Sequence, residues 1–182
     1  MSERYSRPTR ILHWLTAVLV FTTLIVGVAM VNSVADYATL LVVHKALGVL
    51  ILTVVVVRIV NRVADRFVRR PPPLPSTVGA LERKVVLLSE LAMYALLLAQ
   101  PLVGWAMLSA AGNPIVVFGA VDLPRIAPFD AELYGVLRRI HTILAFSLVA
   151  VIAAHVSAVL LHTVTLRDGM LSRMTFRTRA DR

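Results

Sequence analysis

Apolar residues in this chain come in long blocks separated by charged or proline-rich links. Four blocks are long enough to cross about 30 Å of hydrocarbon, which takes roughly 20 helical residues. With their flanking turns they are expected near 8–31, 37–60, 85–110 and 134–164. Backbone polar groups in lipid must bond internally, so helices are the default for such runs. The expected fold is all-α: an integral membrane four-helix bundle, one domain over 1–182. Ser6 is the expected N-cap of the first helix. Pro8 falls in its first turn, where the missing N–H costs nothing. The first span is too long for the apolar region of a signal peptide. The link from Asn32 to Asp36 is short, so helices one and two should be antiparallel neighbours. The link from Ala111 to Glu132 carries Gly112-Asn113-Pro114 and Pro124 and reads as turns. Pro71-Pro72-Pro73-Leu74-Pro75 reads as a stiff, extended spacer.

Composition sharpens this picture. Hydrophobic residues make up 58% of the 182 and charged residues 16%, with mean hydropathy +0.81. A soluble domain is nearer half apolar and a quarter charged. The net charge is +9, which in a soluble protein raises nucleic acid as a partner. The placement of that charge argues against nucleic acid. The N-terminal tail, the link between spans two and three and the C-terminal tail together carry fifteen Lys and Arg. The opposite side carries four: Lys45, Arg125, Arg138 and Arg139. Positive-inside bias predicts both termini in the cytoplasm. The chain has no cysteine. Disulfides, iron–sulfur clusters and thioether-linked haem are therefore excluded.

All five histidines, His13, His44, His141, His155 and His162, lie inside or at the edge of a span. Ionisable residues there are costly and default to a functional reading. Following each helix through the membrane gives two levels. His44 and His141 fall near the outer face, and His13 and His155 nearer the inner face. His141 and His155 are fourteen residues apart, roughly 40° short of four full turns and about 21 Å along one face. A single metal cannot use both. Zinc wants three or four clustered ligands. Two separated pairs suit trans axial ligation of two porphyrin irons instead. With both axial positions filled, such an iron is suited to electron transfer. Without a cofactor, the same histidines read as hydrogen-bonded polar residues inside a bundle.

Other residues align with these levels. Gly48 is one turn from His44, and Gly27 is fourteen residues from His13. Both read as clearance for a flat macrocycle or as close helix packing. Arg58, fourteen residues from His44, faces the inner level. It reads as a propionate partner or as a snorkelling cation. His162 lies about 10 Å beyond His155, a candidate quinone contact or proton donor, or an interfacial residue. Glu90 reads as a proton carrier to the same place, as a headgroup-region carboxylate or as a partner of Arg83. Lys45, Arg138 and Arg139 read as propionate partners or as a field that attracts a small anion. Trp14, Trp105 and Tyr37 read as interface anchors or packing rather than electron relays.

In order and spacing these features resemble the bacterial cytochrome b561 family over nearly the whole chain. The match includes Arg4-Tyr5-Ser6, Leu12-His13-Trp14-Leu15, His44 with Gly48, Gly112-Asn113-Pro114, and His141, His155 and His162. The resemblance implies two b haems, one on His13 and His155 and one on His44 and His141. It implies electron exchange with ubiquinone in the bacterial inner membrane, and for some members oxidation of periplasmic superoxide. Two rivals stay open. One is a membrane-anchor, electron-transfer subunit serving a periplasmic redox protein. The other is a haem-free transporter or packing protein, which has no Soret band.

Overall fold

The computed structural model describes residues 4–68, 72–73 and 78–176. The proline spacer and the cations Arg69, Arg70, Arg177, Arg179 and Arg182 lie wholly or partly outside the described residues. Four long apolar helices dominate: α1 (Arg7–Asn32), α2 (Tyr37–Val68), α3 (Ala80–Ala110) and α4 (Ala131–Leu160). A π-helical turn, Leu161–Leu166, continues α4. Each is long and apolar enough to cross a membrane. Their outward faces carry bare hydrocarbon: Ile25 is 69% and Phe146 73% exposed. Water does not tolerate four such surfaces on one small chain, whereas lipid does.

Local chemistry sets the helix ends. Ser6 caps α1, its side chain accepting from the Thr9 N–H, and Pro8 sits in the first turn. Asp130 caps α4, accepting from the Leu133 N–H at 2.8 Å. Glu82 accepts from the Gly79 N–H at the start of α3, one half of a capping box. Two helices outrun their expected limits. α2 continues beyond residue 60 and α3 begins before residue 85. Charge marks where hydrocarbon ends, but a helix can run on into water, and these extra turns have partners. Ser6 and Thr9 hydroxyls both donate to Asp65 at 2.7 Å. Asn61 donates to Thr9 at 2.8 Å. The start of α1 is thereby tied to the end of α2.

α1 packs along α2, α2 against α3, and α3 along α4. A central apolar layer of Leu19, Val20, Ile51, Val54, Val55, Leu97 and Leu148 joins all four. On the far side of the bundle from the termini, the α3–α4 link holds a feature that its turn formers did not reveal. A two-stranded antiparallel hairpin, β1 (Val116–Val117) and β2 (Val121–Asp122), pairs Val116 with Asp122 and Val117 with Val121. Gly112 opens this link at φ +72, and a Cβ there would stand 2.9 Å from the Phe129 ring. Glycine is required on both counts.

The first and last described segments meet. The Tyr5 N–H donates to the Arg173 carbonyl at 3.3 Å. The Trp14 indole donates to Met174 O at 3.0 Å. Arg10 donates to Thr175 O at 2.8 Å and lies over the Phe176 ring. Trp14 therefore ties two segments together, a packing role whose partner its position at a span edge did not disclose.

Candidate functional site

The bundle brings four histidines together as two pairs. His13 of α1 and His155 of α4 have ring centres 6.3 Å apart, with planes at 64°. His44 of α2 and His141 of α4 have ring centres 6.3 Å apart, with planes at 73°. The central apolar layer falls between these levels in every contributing helix: Leu19 and Val20 follow His13, Val54 and Val55 follow His44, and Leu148 lies between His141 and His155.

The spacing within each pair has a chemical meaning. An imidazole–metal bond is about 2 Å, and the ring centre lies about 1 Å further back, so two trans imidazoles on one metal have centres about 6 Å apart. Direct packing of the rings does not require that both pairs share one separation; a common metal does. Both outer histidines also keep a buried nitrogen without a protein partner, His44 Nδ1 and His141 Nδ1. Buried polar atoms are nearly always satisfied, and a metal takes such a lone pair. Among the described residues, no group of three or more His, Asp or Glu side chains is arranged to hold a bare ion. Paired imidazoles with room beside them fit a haem.

Glycine supplies that room. A Cβ on Gly48 would meet nothing within 4 Å, and one on Gly27 would stand 3.5 Å from His44 Cε1. Gly27 therefore faces the His44 ring. Helix α3 contributes two residues that sequence reasoning missed. A Cβ on Gly104 would stand 3.1 Å from His141 Cε1. The Gln100 amide lies 3.2 Å from His141 Nε2. Gln100 and Gly104 are one helical turn apart, on one face. An amide in the middle of an apolar run was the available signal, and the lack of histidine on this helix hid it.

At the inner level Arg58 reaches His13, with Nη2 3.0 Å from Nδ1. Its guanidinium also lies 5.3 Å from the centre of the Tyr94 ring. Glu90 pairs with Arg62 at 2.6 Å rather than with Arg83. Tyr5 is packed nearby, and burial pushes its hydroxyl above the ordinary phenol range, with Arg62 pulling it back. This phenol keeps its proton at neutral pH.

His162 is held differently from the other four. It is 4% exposed, with Nδ1 2.6 Å from Asp168 and Nε2 2.9 Å from Glu82. Only a protonated ring has N–H donors on both nitrogens. The π-helical turn and the Asp168 segment are thereby clamped to the start of α3. Replacing His162 with leucine leaves Asp168, 5% exposed, without this donor. A cost of about 3 kcal/mol is expected, the low end for breaking a buried pair because Glu82 is partly solvated. Thermal unfolding in detergent reads this as a fall in Tm, and an unchanged Tm would show that the clamp carries no load.

Among the outer cations, Lys45 is half-buried, while Arg138 and Arg139 are exposed near the start of α4. Arg125 donates to the Gly112 carbonyl at 3.3 Å and so braces the end of α3.

A membrane bundle with imidazoles paired between its helices at two depths defines a class, the transmembrane b-type cytochromes. Comparison with known proteins gives the family within that class. Residues 4–177 match the family model for prokaryotic cytochrome b561, and the chain belongs to that family. It is 33% identical to "Cytochrome b561 homolog 2" of Escherichia coli (strain K12) over 98% of this chain and 95% of that protein. It is 25% identical to "Cytochrome b561 homolog 1" of the same organism over 94% and 97%. It is 30% identical to "Probable superoxide oxidase CybB" of Yersinia pestis over 72% of each. The protein is accordingly a multi-pass membrane cytochrome that binds b-type haem and transfers electrons.

Proposed function

We propose that the chain carries electrons through two b haems, from superoxide at the outer face to ubiquinone at the inner face of the bacterial inner membrane. The observation that carries this reading is the shared 6.3 Å separation of the two histidine pairs. His13 and His155 hold the inner haem, and His44 and His141 the outer one. Haem supplies a one-electron Fe(III)/Fe(II) couple. Two histidines on each haem would leave no open position on the iron for oxygen. The central apolar layer excludes water between the levels. Both termini face the cytoplasm, in keeping with the excess of Lys and Arg on their side of the chain.

Superoxide as donor is supported by the similarity to the Yersinia protein and by cations at the outer end. Lys45, Arg138 and Arg139 attract a small anion and raise its on-rate. Ubiquinone reduction consumes protons at the inner end. Glu90, 29% exposed beside Arg62, carries them. His162 hands on a proton only by giving up a bond to Glu82 or Asp168. The second reading, an anchor for a periplasmic redox protein, is favoured by the outer hairpin, where Phe118 is 60% and Val121 48% exposed.

Stopped-flow haem reduction separates these readings. Purified cytochrome mixed with superoxide should be reduced within the dead time or soon after, and ubiquinone should reoxidise it. Haems that stay ferric in superoxide but are reduced by a periplasmic donor protein would favour the anchor reading.

A further inference from the structure

The two histidine pairs have different neighbours. Beside His13 stands a cation, Arg58, with Nη2 3.0 Å away. Beside His141 stands a neutral amide, Gln100. Arg58 is steadied over the Tyr94 ring, a contact that suits a guanidinium. Glu90, on α3 at the same end of the bundle, is paired with Arg62 at 2.6 Å. Among these described groups a net positive charge remains.

We infer that Arg58 is the residue that makes the inner haem the stronger electron acceptor and so sets the direction of transfer from the outer level to the inner. This rests on the two-haem reading above. The physical cause is simple. Reduction adds one negative charge at the iron, and a cation a few ångströms away favours the reduced form, more so in a medium of low dielectric. A histidine ligand is made a better donor when its second nitrogen gives its N–H to a carboxylate or carbonyl. A guanidinium only donates, so once the other ring nitrogen binds iron and Nδ1 carries its N–H, Arg58 acts on the site through its charge and not through that hydrogen bond. That charge raises the inner potential. The transfer that Arg58 biases moves one electron: the outer iron goes from ferrous to ferric, the inner from ferric to ferrous, and no bond or proton is exchanged.

The test is a redox titration of the purified holoprotein, followed by optical and electron paramagnetic resonance spectra. His141→Ala, which keeps only the inner haem, assigns the signals. In wild type the inner haem should titrate at the higher potential. In Arg58→Leu its preference for the electron should fall by about tenfold or more, a tenfold change being about 59 mV for one electron. The outer haem should not move. Arg58→Lys should restore most of the difference. If the leucine variant fails to hold the inner haem, Arg58→Gln, neutral but polar, carries the same test. An inner potential that ignores both neutral variants, or that lies below the outer one in wild type, overturns the inference while leaving the two-haem reading intact. A wild-type chain with fewer than two haems sinks that reading itself.

Discussion

In His141→Ala, haem content should drop from two per chain to one, and the survivor should carry the spectrum of the inner site. His141 is the residue by which α4 meets His44. Alanine offers no lone pair, so the outer iron loses one of its two axial bonds. The inner pair should be spared. Fourteen residues of helix separate His141 from His155, about 21 Å, and the layer that contains Leu19, Val54 and Leu148 lies between. Haem per protein, measured as the pyridine haemochrome, and the low-temperature α-band give the answer. Equal loss of both haems would contradict the pairing.

The second large effect is steric and involves no ligand. Gly104→Leu should also empty the outer site. A Cβ at this position already stands 3.1 Å from His141 Cε1, closer than nearly all real contacts, and leucine adds three more carbons towards the ring. The imidazole must turn off the iron axis. Helix α3 itself accepts leucine readily, so the bundle should fold and keep the inner haem. Gly104→Ala is the graded control: the ring needs to yield only a few tenths of an ångström, and most of the outer haem should stay. Leucine with full haem occupancy would mean that α3 does not abut the outer site.

How much of this could be read from the chain follows from what each residue had to do. The spans were legible because lipid admits only long apolar helices. The two histidine levels were legible because helical rise converts residue number into depth. Arg58 was placed at the inner level by the same arithmetic, but its contact with His13 depends on how α1 and α2 lie together, and spacing does not give that. Gln100 and Gly104 were missed for a related reason. Their importance comes from packing of α3 against α4, and their residue types are unremarkable in a membrane helix. Glu82 and Asp168 are eighty and six residues from His162, so no local pattern linked them. The outer hairpin was missed because its strands are only two residues long.

The central claim is that each histidine pair closes on one iron from opposite sides. The most direct measurement is iron and haem per chain on the purified wild-type protein, together with the electron paramagnetic resonance spectrum of its oxidised form. Two haems per chain with two low-spin ferric signals is the expected result. Colourless protein, or a haem-to-chain ratio near one with all four histidines in place, would contradict it.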